Sequence, residues 1–269
     1  MEDCHAQSFD APVIRHERPT SEGVESLKEV YKQSEWRDIA TGLQIKVVEL
    51  STGFLSGEIT LLKTSLSHFR PQVVRAASFQ RNGADVEWYS KRTGASACIN
   101  AHFFDQKGSP LGLVVSRGIE HQRMQLGGTL LTGLFLAYHK RVEIIQRDKN
   151  HKAGLEAIQS GPRLIINRTA ANDLDDINES RRSGICTTSP TEYILFVASS
   201  PFRGATLKEL GDILSSPEIQ CEDALNFDGG GSTQLFVRQD LTGAQVGFRG
   251  IHVLGRDEVP TVLCLFPAS

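Results

Sequence analysis

Short runs in which apolar and polar residues alternate recur along the chain, and this pattern predicts β-strands. We place strands at 43–50, 58–62, 72–76, 113–115, 129–138, 141–145, 191–199, 224–228, 235–237 and 261–266. Residues 157–166 consist of apolar pieces with a break at 159–162. A segment of small and apolar residues at 95–105 predicts a buried strand whose end presents polar side chains. The strands do not alternate regularly with helices. The pattern therefore predicts an α+β fold with a mostly antiparallel or mixed β-sheet core and a few packed helices.

Three segments have apolar residues at helical spacing. Residues 21–31 predict a short helix with Ser21 as N-cap, residues 86–91 are weakly helical, and residues 201–214 give the clearest helix, with Thr206 placed to cap it. The first 22 residues are polar and have no periodic apolar pattern. We therefore divide the chain into an N-terminal lead-in with a short helix at 1–35 and a main domain at 36–269.

Composition narrows the class of protein. The chain has 269 residues, of which 39% are hydrophobic, and this is enough to bury a sizeable core. Its net charge of -3 provides no broad basic field, so we expect no nucleic-acid partner. No apolar run reaches the roughly 18 residues that a membrane span needs. The first residues also lack the basic and then apolar pattern of a signal segment.

The five cysteines are Cys4, Cys98, Cys186, Cys221 and Cys264. They are widely separated and form no CxxC pair, which argues against a zinc site and does not indicate a disulfide framework. At most one or two bridges can exist, and their pairing is left open. We predict neither a metal site nor a cofactor.

The motif with the strongest chemical signal follows an apolar run. Asp228 is followed by Gly229, Gly230 and Gly231, and then by Ser232 and Thr233. Three consecutive glycines indicate a backbone that turns sharply or approaches a ligand closely, and their amides can form a concave nest for an anion. The alternative is a glycine-rich hairpin in which Asp228 caps its own turn. A Walker P-loop is excluded because no lysine follows the glycines at the required position.

Two other groups of residues carry chemistry. Asn100, His102 and Asp105 fall at the predicted strand end, where an imidazole and a carboxylate suit proton transfer; the alternative is that His102 belongs to the core with the two phenylalanines after it. Arg181 and Arg182 provide guanidinium groups suited to phosphate or carboxylate, or else they lie in a solvated surface loop.

Taken in order, four blocks resemble the pattern of the phosphodiester glycosidase family. They are INAHFF at 99–104, SGP at 160–162, RS at 182–183 and NFDGGGS at 226–232. The resemblance covers roughly residues 36–266, and the last block is the most specific. Two departures stand out: His102 and its neighbour replace two small residues of many relatives, and Ser183 replaces the usual threonine.

The resemblance implies a hydrolase that cleaves the glycosidic bond of a sugar 1-phosphodiester or a related glycoconjugate. It implies that Asp228 is an acid, base or nucleophile and that Asn100 contacts a sugar hydroxyl. His102 and Asp105 are then the candidates for a second proton-transfer role. The residues expected to bind substrate are Gly161, Arg182, Ser183, Gly229, Gly230, Gly231, Ser232 and Thr233.

The partner implied by the resemblance is a glycoconjugate or sugar-phosphate substrate, and the implied location is extracytoplasmic, either secreted or periplasmic. Two alternative functions stay open at this point. One is a non-catalytic carbohydrate or cell-envelope binding protein, which the His102 departure favours. The other is a polysaccharide glycosidase of the same fold.

Overall fold

The computed structural model describes residues 32–52, 55–149, 154–199 and 204–268. The helix predicted over 21–31 lies outside these residues, so the division of the chain near residue 35 stays a prediction. The strands and α-helices of the described part are, in chain order, β1 (Arg37–Ala40), β2 (Leu43–Thr52), β3 (Leu55–Ser65), β4 (Phe69–Arg75), α1 (Val86–Thr93), β5 (Ala97–Asn100), β6 (Val114–Ser116), β7 (Ile119–Gln122), β8 (Gly133–Ala137), β9 (Val142–Gln146), β10 (Glu156–Ser160), β11 (Arg163–Ile166), β12 (Thr169–Ala170), β13 (Arg182–Thr187), β14 (Glu192–Ser199), α2 (Leu207–Leu214), β15 (Asp223–Asn226), β16 (Leu235–Val237), β17 (Ile251–Val253) and β18 (Thr261–Pro267).

The strands form three sheets, and the pairings within them are antiparallel. The first sheet has the order β1-β2-β3-β14-β13-β15-β11-β12, the second β17-β16-β5-β18-β4, and the third β7-β6-β10-β8-β9. The antiparallel prediction is confirmed. The α+β class fits only in part, because the described residues contain just two α-helices and the fold is mainly β.

The central strands of the first sheet are buried on both faces. In β14, Leu195 and Val197 face the core shared by the three sheets, whereas Ile194 and Phe196 face a second core that α2 covers. Because both faces of β14 are apolar, its sequence is a nearly continuous hydrophobic run. The strand predicted at 191–199 is therefore close to the observed one.

Helix α2 begins where the sequence predicts its cap. The Thr206 hydroxyl accepts the Glu209 N–H at 3.0 Å, and the Glu209 carboxylate accepts the Thr206 N–H at 2.9 Å, which together form a capping box. Helix α1 covers the outer face of the second sheet, where its Tyr89 is buried and donates a hydrogen bond to the Val259 carbonyl at 2.8 Å.

The strand β13 was missed by the sequence pattern. It lies between β14 and β15 in the first sheet, with residues 183–187 buried, yet it consists largely of small and polar residues. Gly184 explains part of this composition, because a Cβ at that position would lie 2.3 Å from both the Leu225 carbonyl oxygen and the Phe196 ring. Close packing here excludes the bulky residues that mark other strands.

Two disulfides connect parts of the fold. Cys98 and Cys264 join paired positions of β5 and β18, and Cys186 of β13 is bonded to Cys221 in the segment before β15. By restricting the unfolded chain, bridges of this kind each stabilise a fold by about 2–4 kcal/mol. Within the described part of the chain, no helix is both long and apolar enough to cross a membrane.

Glu156 joins the second and third sheets through its carboxylate. Its two oxygens accept the Val73 N–H at 2.8 Å and the Arg117 N–H at 3.0 Å. The side chain is buried, and this burial raises the pKa of Glu156 to about 7, although both backbone hydrogen bonds act in the opposite direction.

This burial predicts a pH dependence of stability. The unfolded chain releases the Glu156 proton near pH 4.5 and the folded protein near pH 7, so the folded state binds more protons between these values and stability falls as pH rises through them. The shift corresponds to about 3 kcal/mol. Urea unfolding at pH 5 and pH 8 should show this loss in the wild type and in the control Glu120→Gln, and a smaller loss in Glu156→Gln. Equal losses in all three proteins would contradict the assignment.

Candidate active site

The glycine motif is the crossover between two sheets. The chain leaves the first sheet at the end of β15 and enters the second sheet at the start of β16, and Asp228 lies in the segment between them. The Asp228 carbonyl accepts hydrogen bonds from Asn100 Nδ2 at 2.7 Å and Ser183 Oγ at 2.8 Å. Its N–H donates to the Ala101 carbonyl at 3.1 Å. Side chains of the first and second sheets thus hold the Asp228 main chain in place.

The Asp228 carboxyl group is only partly exposed. Its Oδ1 accepts the Gly229 N–H at 3.0 Å, so Asp228 does cap its own turn, and the Ser232 side chain is a further hydrogen-bond partner. Burial raises the pKa of Asp228, the hydrogen bonds from Ser232 and Gly229 lower it, and the nearby charge of Asp257 raises it; the net direction is upward.

The amides of the turn are largely used within the protein. The Gly229 N–H donates to Asp228, the Gly230 N–H to the Arg181 carbonyl at 2.8 Å, and the Ser232 N–H to the Gly229 carbonyl at 3.1 Å. Among the described residues, Gly231 is the one of these four whose N–H has no acceptor. The expected nest of four amide donors for an anion is therefore reduced to one donor.

A second carboxylate lies beside the turn. The Gly231 carbonyl accepts the N–H groups of both Arg256 and Asp257, which places the 254–258 segment against the glycines. A Cβ at Gly231 would lie 2.2 Å from Asp257 Oδ2, so the glycine makes room for this carboxylate. The buried Gln234 fixes the arrangement, since its Nε2 donates to the carbonyls of Ser232 and Asp257 at 3.2 and 3.0 Å.

Two arginines lie next to the turn at the start of β13. Arg182 donates from Nε to the Ala205 carbonyl at 3.2 Å and from Nη2 to the Asn178 carbonyl at 2.8 Å. Arg181 donates from Nη2 to the carbonyls of Thr233 and Leu254. Burial lowers the pKa of both guanidinium groups, and no ion pair between described residues includes either of them. Their positive charges are therefore held by neutral carbonyls.

Gly161 lies where the chain passes from the third sheet to the first, and it adopts a cis peptide bond with Pro162. Its carbonyl accepts Asn226 Nδ2 at 2.9 Å, which ties it to the residue two positions before Asp228. A Cβ at Gly161 would lie 2.0 Å from the Leu130 carbonyl oxygen, so the glycine is required by the close approach of the loop that ends at β8.

Several of the residues proposed from the sequence are not open to a substrate. Asn100, Ser183 and Thr233 are fully buried, and the first two bond the Asp228 carbonyl. Ser232 is also buried and is a partner of the Asp228 carboxyl. These residues position the turn, and a direct contact of Asn100 with a sugar hydroxyl does not fit its burial.

The strand end at 100–105 does not present an acid–base pair. His102 is buried, with Nδ1 2.8 Å from Thr261 Oγ1 and Nε2 3.0 Å from the Leu113 carbonyl, and burial lowers its pKa to about 4. Asp105 is exposed and accepts the N–H groups of Lys107 and Ser109 in its own turn. His102 therefore lies in the core, which was the alternative interpretation of this residue, and Asp105 caps a turn.

The sequence alone did not single out Asp257 or Gln234. Asp257 stands between Arg256 and Glu258, which is the pattern of a solvated surface run. Gln234 directly follows the motif and precedes an apolar strand. A polar residue at such a position is expected to be hydrogen-bonded if it is buried, and this was the signal by which Gln234 could have been found.

Together, the fold and this crossover define a class: a mainly-β protein in which partly buried carboxyl and guanidinium groups surround a glycine-rich turn. The phosphodiester glycosidase family model matches residues 93–266, so the chain belongs to the phosphodiester glycosidase family. The matched region contains Asn100, Gly161, Arg182 and the glycine motif. No curated protein sequence matches the chain significantly.

Solved structures share the fold. The catalytic domain of zebrafish N-acetylglucosamine-1-phosphodiester alpha-N-acetylglucosaminidase, auto-inhibited by its pro-peptide, aligns with a TM-score of 0.60 and 15% identity over 88% of each chain. A hypothetical protein from Synechocystis aligns with a TM-score of 0.57 and 14% identity over 84% of this chain, which spans 62% of that protein. A putative exported protein from Burkholderia pseudomallei aligns with a TM-score of 0.52 and 10% identity, over 79% of this chain and 74% of that protein. At these identities the likeness concerns the fold alone.

The position of Asn100 predicts a structural role that can be measured. Asn100→Ala removes one of the two donors to the Asp228 carbonyl, and it removes the acceptor of the buried Gln234 N–H. We expect the free energy of unfolding to fall by about 2–4 kcal/mol in urea titrations. The exposed Asn82→Ala control should lose less than about 0.5 kcal/mol. Equal stability of the two variants would show that Asn100 does not hold the crossover.

Proposed function

We propose that this protein is a hydrolase that cleaves the glycosidic bond of a sugar 1-phosphodiester or a related glycoconjugate. Its membership of the phosphodiester glycosidase family supports a glycosidase-like function in general terms. The observation that carries the finer proposal is the position of the Asp228 carboxyl, with its raised pKa, in a turn whose glycines lie against the Arg181 carbonyl and the Arg182 side chain.

Each part of this group suits one requirement of the reaction. A phosphate departs as an anion, so it needs little help from a general acid and gains from nearby positive charge. Arg181 and Arg182 supply that charge; both donate to neutral carbonyls, and the charge of Asp175 acts on Arg182. The Gly231 N–H adds one donor to the same anion.

We assign the proton-transfer role to Asp228 and propose Asp257 as the second carboxyl group. A raised pKa makes the ionised Asp228 a stronger base. Asp257 influences that pKa through its charge. The alternative, a non-catalytic carbohydrate-binding protein, predicts glycan binding with no product from either type of substrate.

The name of the zebrafish relative suggests which substrates to test first. We propose N-acetylglucosamine 1-phosphodiesters, assayed beside aryl glycosides of the same sugar. We also propose an extracytoplasmic location, because two disulfides are typical of proteins that fold in oxidising compartments. Fractionation of the host cell tests the location: recovery of the protein in the cytosolic fraction alone would exclude it.

Turnover should depend on Asp228 and Arg182 and not on general surface charge. We expect Asp228→Asn to lower kcat by about 10²–10⁴-fold, which is the usual contribution of a proton-transfer group. Arg182→Ala should lower kcat for phosphodiesters more than for aryl glycosides. The control Asp38→Asn, an exposed residue of β1, should match the wild type. Full turnover of both substrate types by Asp228→Asn and Arg182→Ala would refute the assignment.

The pH profile should separate Asp228 from its neighbour. The charge of Asp257 raises the pKa of Asp228, so Asp257→Asn should shift the limb of the kcat/KM profile that Asp228 controls toward lower pH. Wild type and variant are compared on one phosphodiester across the profile. An unshifted limb would mean that the two carboxyl groups do not interact during catalysis.

A further inference from the structure

A cleft rich in arginine lies away from the glycine motif, at the free edge of the second sheet. It is formed by β4, by the β6–β7 hairpin of the third sheet and by the end of α1, and its volume is about 420 Å³. Its lining includes three arginines, one histidine and an apolar wall: Arg75, Arg92, Arg117, His121, Phe79 and Ile119.

No carboxylate in the lining of this cleft balances its positive charge. None of its lining residues is an aspartate or glutamate, and no ion pair between described residues involves its three arginines. Elsewhere in the described part, arginines such as Arg163 and Arg168 pair with carboxylates. The whole chain carries more acidic than basic residues, 32 against 29, so a purely cationic cleft does not follow from composition.

The contact between Arg75 and His121 keeps the positive charge in the cleft. Arg75 Nη1 lies 2.7 Å from His121 Nδ1, and because a guanidinium group only donates, the imidazole nitrogen must accept and His121 must be neutral. Burial and the charge of Arg75 both lower the pKa of His121. Arg75 is half-buried, and this contact neutralises none of its charge.

Two acidic residues lie near this cleft without lining it. The buried Glu156 accepts the backbone N–H groups of Val73 and Arg117, and the charge of Arg117 acts on its carboxylate. Glu120 lies between Ile119 and His121 on β7 and is not one of the lining residues. Arg92 stacks over Phe79 at 5.5 Å, which orders one guanidinium group against the apolar wall.

We propose that this cleft is a binding site for a phosphate group, separate from the glycine motif. Guanidinium groups bind phosphate oxygens in paired hydrogen bonds, and three arginines line this cleft with no carboxylate among its lining residues. Phe79 and Ile119 provide apolar contact for a carbon body attached to the phosphate. The phosphate can be free or carried by a sugar, and the two sources differ in their use of that apolar wall.

The experiment titrates the full chain, with isotope-labelled histidine, with inorganic phosphate, glucose 6-phosphate and glucose at constant pH and ionic strength. The His121 resonance, identified with His121→Asn, should shift saturably with both phosphates and not with glucose. Tighter binding of glucose 6-phosphate assigns the site to a phosphorylated sugar, and tighter binding of inorganic phosphate assigns it to the free ion. Absence of a saturable shift with either phosphate overturns the proposal.

Matched variants separate the cleft from general charge and from the glycine motif. Arg75→Gln with Arg92→Gln should weaken phosphate binding at least tenfold, whereas Arg37→Gln with Arg249→Gln removes the same charge elsewhere and should change it less than twofold. Equal weakening by both pairs would refute a specific site. Because Arg75 is half-buried, the exposed pair Arg92→Gln and Arg117→Gln provides a second test if the first variant does not fold.

Independence from the proposed catalytic site has its own control. Arg182→Ala should leave the His121 response to phosphate unchanged, because Arg182 bonds carbonyls beside the glycine motif and does not line the cleft. Loss of the His121 response in this variant would show that the cleft is not a separate site. Loss of phosphodiester hydrolysis with the response intact would concern the catalytic site alone.

Discussion

The buried carbonyl of Asp228 is the group on which the rest of the site depends. It lies where the chain leaves one sheet and enters another, and a backbone carbonyl buried there must be hydrogen-bonded. Asn100 and Ser183 satisfy it from two different sheets, at 2.7 and 2.8 Å. The same two bonds therefore fix the packing of the sheets and the position of the carboxyl group. The geometry of the site follows from that of the core.

The electrostatics follow from the same packing. Because the crossover lies between the first and second sheets, the Asp228 carboxyl is partly withdrawn from water, and its pKa rises. Burial also lowers the pKa of Arg181 and Arg182, whose guanidinium groups donate to carbonyl oxygens. The packing that fixes the turn therefore also determines the electrostatics of the charged residues around it.

Patterns of neighbouring residues in the sequence predicted the strands and helices of this fold better than they predicted the contacts between distant residues. The strand at 191–199 and the Thr206 cap follow from residues close together in sequence, and so does the turn at Asp228. Strand β13 was missed because tight packing around Gly184 selects small residues. The partners of Asp228 are 45 and 128 residues away, and spacing along the chain carries no information on such contacts. The family resemblance identified residues such as Asn100 and Ser183, and their burial in the structure indicates that they hold the turn in place.

The two hydrogen bonds from Asn100 and Ser183 that hold the crossover are accepted by the main-chain carbonyl of residue 228 and do not involve its side chain. Asn100 and Ser183 would bond a carbonyl at this position whatever side chain it carried. The contacts that join the sheets are therefore separate from the chemistry of the side chain at position 228, and the sheets can stay joined when that side chain changes. Such a fold can lose its chemistry, or acquire another, in one substitution without having to be rebuilt.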